Sequence, residues 1–359
     1  MMRFFTWFPR PPKTNPVPAS RRRTVCPQLE QLEGRLVPSQ SSAISIYHPM
    51  GQYSYTERDW FTVDKNTGHV VEFQGTTRYD LGTPWSGATI TEVSASVDPN
   101  TGFGEVFAVV DSALWLCDSH GTWHLYDLGT VVEFSATHDG HVYDASWSVF
   151  HSVNGSIFQP QAVYYLANTT GANLGMPANL QAVTAIAAGV DDLGHNEVFV
   201  VGSDGAIYVN SANASWGWRL VDNSARFVSI SATQNDTVFA ISQDGKLYQE
   251  TEHFHQFGRV FYPYWTNQDI SGGRTYTSGK LSADSDASGR DEVYAIDSLN
   301  KAWLYDQGIW TWKDSDVKDI SGAGGGYFYD VNQFSNLNPS WLYDPYASQH
   351  WTFLSYGLQ

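Results

Sequence analysis

The chain has 359 residues, of which 16% are charged and 15% aromatic, so it has ample material for a large core and little case for disorder outside its N-terminus. Its formal net charge is −17 and unevenly spread: seven of the 20 Lys and Arg lie before residue 41, leaving 13 basic against 35 acidic groups in the remainder, a balance of −22. So acidic a body repels phosphate backbones, which argues against a nucleic-acid partner, and no apolar run is long enough to span a bilayer as a helix.

Residues 1–40 are rich in Pro and Arg, and they read as a disordered leader ahead of a body spanning 41–359. Phe4 to Phe8 is too short for a general secretory signal and is followed by Pro9. Leu32, Glu33, Arg35 and Leu36, followed by Pro38-Ser39, resemble the LEPR-type leader of exported planctomycete proteins, with Gly34 where Pro or Asp is usual. That resemblance implies an exported or surface location. The two cysteines, Cys26 and Cys117, can build neither a disulfide framework nor a thiolate zinc site, and Cys117 beside Trp115 reads as a small buried residue.

Along the body one pattern recurs, most fully in Gly102 to Trp123: a turn, an apolar run, a second turn, then Leu114-Trp115-Leu116 and Trp123. With the small residue of each opening strand as anchor (Ser45, Ser94, Ser135, Ala187, Ser231, Ser282, Ser321), the steps are 49, 41, 52, 44, 51 and 39 residues. In the second strand, Val106, Ala108 and Val110 alternate with Phe107 and Val109, so both faces are apolar and must be covered by neighbouring sheets. Small sheets in tandem satisfy that requirement radially, and the expected fold is an all-β, seven-bladed propeller. The Ala-rich run Ala178 to Val190 falls at the opening strand of module four and is read as strand. Module three carries a long excursion through Trp147, Phe150 and Phe158. Closure is expected where residues 41–75 pair with or pack on 318–356.

Ser112-Ala113-Leu114-Trp115, Asp204-Gly205-Ala206-Ile207-Tyr208, Asp244-Gly245-Lys246-Leu247-Tyr248 and Lys301-Ala302-Trp303-Leu304 resemble the repeated turn and strand of tectonin-like, or PLL-type, propeller lectins. The resemblance implies binding of glycans or cell-surface polysaccharide without catalysis.

A catalytic group is needed once, whereas Glu105, Glu197 and Glu292 recur at one offset, which marks them as turn or edge acids rather than a glycosidase pair. The recurring tryptophans are inter-blade packing by default. The functional alternative is that Trp123, Trp216, Trp218, Trp310, Trp312 and Trp351 present flat faces at blade edges for a pyranose ring. The stretch His253-Phe254-His255-Gln256-Phe257, with Tyr262, Tyr264 and Trp265, breaks the repeat and adds Tyr264 and Trp265 to the candidates; its two histidines lack a third metal ligand. No cofactor is expected; the one opening for calcium is Asp284-x-Asp286-x-Ser288-Gly289, with Ala295 where the closing Glu belongs. Three functions follow in order: a lectin-like module, a scaffold binding other surface proteins, and a cryptic glycoside hydrolase.

Overall fold

The computed structural model describes residues 41–359 apart from 51–52, 129, 148, 153–154, 159–161, 168–169, 192–193, 212–216, 234, 236, 258–259, 286–289, 324–326, 333–338, 348–349, 357 and 359. The leader, Trp216 and most of the calcium-loop run therefore lie outside the described residues.

Seven four-stranded antiparallel sheets succeed one another along the chain, at 41–82, 90–127, 130–175, 183–222, 227–269, 276–314 and 317–355. Each innermost strand touches that of the next blade and the seventh touches the first, so the sheets close into a seven-bladed propeller. Among the described residues there is no helix. Residues 183–190 are a strand, and the excursion of module three is a two-stranded hairpin, Val149–Ser152 with Gly155–Phe158, inserted between the second and third strands of blade 3.

The two-faced second strand is what makes the ring. Gly104–Val110 is buried at every position: Val106, Ala108 and Val110 pack toward blade 1, while Phe107 and Val109 pack toward blade 3. In all seven blades the residue paired with the inner-strand anchor is an aromatic of the second strand (Phe61, Phe107, Tyr143, Phe199, Phe239, Tyr294, Tyr329), and all seven are buried. This register corrects the anchor of blade 1, which is Ser42, opposite Phe61, and not Ser45. The opening strand of that blade, Ser41–Met50, runs several residues further than its counterparts, and Ile44-Ser45-Ile46 on the extension imitates the anchor pattern.

The anchor hydroxyls explain the repeat. Ser42 Oγ accepts the Ala95 amide at 2.9 Å, Ser94 that of Ala136 at 3.0 Å, and Ser135 that of Ala188 at 2.9 Å. Ser231 accepts from Ala283 and Ser282 from Gly322, both at 2.9 Å. Each hydroxyl thus ties its blade to the next beside the axis. Blade 4 carries Ala187 at this position and has no hydroxyl to offer Ala232.

On the opposite face, the turn between second and third strands accepts the first amide of the following blade. The acceptors are Ser112 O from Val131, Gly205 O from Phe227, Gly245 O from Tyr276, and Asn300 O from Val317. All four residues have positive φ (71°, 83°, 80° and 58°), a conformation that glycine adopts freely and Ser112 and Asn300 adopt under strain.

The ring closes by packing. Trp60 stacks on Tyr329 with centroids 5.0 Å apart, the Arg58 guanidinium lies 3.5 Å from the Tyr327 ring centre, and Tyr329 donates to Arg58 O. A single bridge, Asp64 with Leu358, supplements these contacts.

Candidate functional site

Strand alternation gives the propeller two faces. The turns between strands one and two and between three and four open on one, here called upper; the turns between two and three open on the other. Much of the acidity is spent on these turns, where an aspartate at the first position accepts the amide two residues on, as Asp98, Asp118, Asp204, Asp222, Asp297 and Asp344 do. The loose Asp-box at Asp118 is such a turn, with His124 Nε2 also 2.8 Å from Asp118 Oδ2.

Glu105, Glu197 and Glu292 are not turn or edge acids. They open the second strands of blades 2, 4 and 6 and are 4%, 3% and 3% exposed, because the two-faced packing that buries the rest of the strand buries its first residues too. No two of the three share a blade interface. Burial, with Asp98 and Asp118 nearby, pushes the Glu105 carboxyl up to about 8; Tyr294 donates to Glu292 Oε2 at 3.1 Å. Other acids lie equally deep. Both oxygens of Glu250 are buried without a hydrogen-bond partner, and burial together with Asp222 raises this carboxyl to about 9.

The tryptophans chiefly join blades. Trp123, Trp218 and Trp310 occupy one equivalent position at or just before the start of an outermost strand. Their Nε1 groups donate to backbone carbonyls closing the outermost strand of the preceding blade: Leu81 O at 2.9 Å, Leu174 O at 3.0 Å and Ile270 O at 2.6 Å. Blade 5 has Asn267 there, whose amide donates to Asp222 and Ser224 of blade 4. Trp351 and Trp265 are half-buried against neighbouring cores, Trp265 meeting Phe199 edge-on at 5.6 Å. Trp312 is 55% exposed and Tyr264 41%, so of the eight candidates these two present open faces. His253 is exposed, its Nε2 3.0 Å from Thr266 Oγ1; the His255 side chain lies outside the described residues. Among the described residues no group of three metal-ligating side chains converges. Asp284, first residue of the calcium-like run, lines the axial cavity, and burial raises its carboxyl to about 7. Cys117 is buried, and its thiol is pushed up to about 12 chiefly by that burial, which makes it unreactive.

Two cavities remain to be weighed. The axial one, about 190 Å³, is lined by small residues such as Ser94, Ser135, Thr137 and Thr233, and is below the size of ordinary ligand sites. The second, about 440 Å³, is a groove on the upper face between blades 6 and 7, within the usual range. Its floor carries Glu292 and Asp306, whose Oδ1 is buried without a hydrogen-bond partner, and its walls carry Arg290, Lys313, Ile309 and Tyr346. Burial holds the Lys313 ammonium below its ordinary pKa, although Glu292 and Asp306 oppose this; its Nζ lies 4.5 Å from the Tyr343 ring centre. Tyr346 is 79% exposed, held by the Asp344 turn and set 5.8 Å from the Tyr327 ring. Sequence reasoning missed this groove, whose members come from three separated stretches and repeat in no other blade; the one visible signal was Asp344-Pro345-Tyr346 interrupting module seven.

No family model matches the chain, and no characterised protein matches it in sequence. Solved propellers do match in shape. BBS1N, solved in complex with ARL6DN, superposes with a TM-score of 0.50 at 11% identity, over 83% of this chain and 91% of that one. The Cps50 (Swd1) β-propeller domain of Myceliophteria thermophila gives 0.49 at 10% identity, over 76% and 92%. YCF48 bound to D1 peptide gives 0.48 at 13%, over 82% and 94%. At such identities the likeness is one of fold alone.

Proposed function

We propose that the protein is a carbohydrate-binding propeller that performs no chemistry on its ligand, and that the groove between blades 6 and 7 is a binding site. The observation that carries this reading is the groove's composition. It combines an exposed aromatic face, Tyr346, with two cations, Arg290 and Lys313, and two carboxyls, Glu292 and Asp306, within about 440 Å³. Matched charges leave no net field to select an ion, yet they supply donors and acceptors on all sides, which suits a neutral polyhydroxylated ring with one apolar face. An exported location belongs to the same reading and is supported by the leader motif alone.

A glycan array probed with the intact chain and with Tyr346→Ala tests the site. Binding to neutral glycans, weakened at least tenfold by the substitution at unchanged thermal stability, is expected. Silence on every glycan, or equal binding by the variant, would sink the proposal. A protein-interaction scaffold is the second reading, favoured by the number of exposed apolar side chains around the rim, among them Trp312, Phe353 and Tyr356.

A further inference from the structure

Two strand pairs in the ring are far longer than the fold requires. In blade 2 the innermost strand ends at Val97, three residues beyond its anchor Ser94; in blade 1 it ends at Met50, eight beyond Ser42. In blade 6 the third strand ends at Asp306, three beyond Trp303; in blade 5 it ends at Phe257, nine beyond the equivalent Tyr248. Pairing continues to the ends of both ribbons, Met50 with Tyr53 and Phe257 with Val260. At about 3.3 Å per residue the extra five and six residues carry these ribbons roughly 17 and 20 Å past their counterparts.

The strand order fixes where the ribbons go. A turn between strands one and two and a turn between strands three and four open on the same face, so both ribbons rise from the upper face, which also holds the groove. Around the ring the blades run 5, 6, 7, 1, and the groove lies between 6 and 7. The blade 5 ribbon, built from its two outer strands, stands at the rim on one side, and the blade 1 ribbon, built from its two inner strands, stands beside the axis on the other.

A two-stranded ribbon beyond its sheet has no neighbour to stack on and is marginal in water. A solvated extension of that kind calls for polar residues. These two instead carry Tyr47, Tyr53 and Tyr55 in blade 1, and Phe254, Phe257, Phe261, Tyr262 and Tyr264 in blade 5. Tyr264, at the foot of the second ribbon, is 41% exposed.

We infer that the groove is the central subsite of a longer cleft walled by these two ribbons, and that the ligand is a polysaccharide chain several sugars long, gripped along its length. The inference rests on the carbohydrate reading above and goes beyond it in assigning the size class of the ligand. A neutral chain suits the cleft because the body's charge of about −22 opposes an acidic polymer.

The test uses the full chain and three variants: residues 253–264 replaced by Asn-Gly, which closes the ribbon at the pair Glu252 and Trp265; residues 47–56 replaced likewise at Ile46 and Glu57; and Tyr264→Ala. Titration calorimetry is run with glucose, mannose and xylose, and with hexamers of β-1,4-glucan, β-1,3-glucan, β-1,4-mannan and β-1,4-xylan. For at least one series the intact chain is expected to hold the hexamer ten times or more tighter than the monomer. Each trimmed variant should lose most of that gain, and Tyr264→Ala part of it, while the monomer affinity stays unchanged. Equal affinity for monomer and hexamer overturns this inference but leaves the groove standing, and so does a hexamer gain that survives in all three variants. Binding of none of the sugars, or of peptides alone, overturns both. Tyr264→Ala guards against a trimmed ribbon that fails to fold.

Discussion

The ring of anchor hydroxyls contains its own control. Ser42, Ser94, Ser135, Ser231 and Ser282 each accept an amide from the next blade, whereas Ala187 leaves Ala232 without such a partner. Ala187→Ser should supply the missing tie. Ala187 is 5% exposed and borders the axial cavity, so one added oxygen has room. A net intramolecular hydrogen bond contributes about 1 kcal/mol, which for a chain of this size is about 2 °C in Tm. The reverse changes, Ser94→Ala and Ser231→Ala, strand a buried amide and should cost about 1–3 kcal/mol each. Equilibrium unfolding in guanidinium, followed by tryptophan fluorescence and read as the shift in midpoint, measures all three against the parent. If Ala187→Ser is neutral or destabilising while the two Ser→Ala variants unfold with the parent, the hydroxyls do not hold the blades together and the explanation of the repeat fails.

Strain in the lower turns gives a second prediction: Ser112→Gly should stabilise by about 1 kcal/mol by relieving positive φ, while Gly205→Ala, whose new Cβ would meet Arg226, should destabilise. Trp218→Phe and Trp310→Phe should each cost about 1 kcal/mol, from losing the Nε1 hydrogen bond to the preceding blade, measured by the same unfolding curves. Glu250 predicts a pH effect. Its carboxyl rises from about 4.5 unfolded to about 9 in the fold, so the folded state holds its proton more tightly. Its contribution is complete below about pH 4.5 and is lost as pH rises toward 9, by at most about 1.4 kcal/mol per pH unit. Glu250→Gln should flatten the fall in Tm over that window; an unchanged slope would show that Glu250 is ionised in the fold.

The architecture was legible because its cause is periodic. A second strand apolar on both faces, repeated at steps of 39 to 52 residues, admits few arrangements other than a ring. The anchor of blade 1 was misplaced because Ile44-Ser45-Ile46 carries the same local pattern as a true anchor, and only pairing with Phe61 separates the two. Glu105, Glu197 and Glu292 were read as surface acids because a glutamate beside a turn is ordinarily solvated, and the neighbouring blade that covers them is invisible along the chain. Recurrence found the tryptophan ties and for the same reason passed over the groove, since Arg290, Ile309, Lys313 and Tyr346 occur together at one interface and nowhere else in the repeat.

The join between the last blade and the first lends no strand in either direction; it is made of the Trp60 and Tyr329 stack, Arg58 against Tyr327, and one bridge at Leu358. Topologically this seam is therefore a blade contact like the other six, and the circle has no privileged starting point. New termini could be cut between any two blades and the old ones joined by a linker without dividing a sheet, so the order of blades in the gene is one of seven equivalent ways to write the same ring.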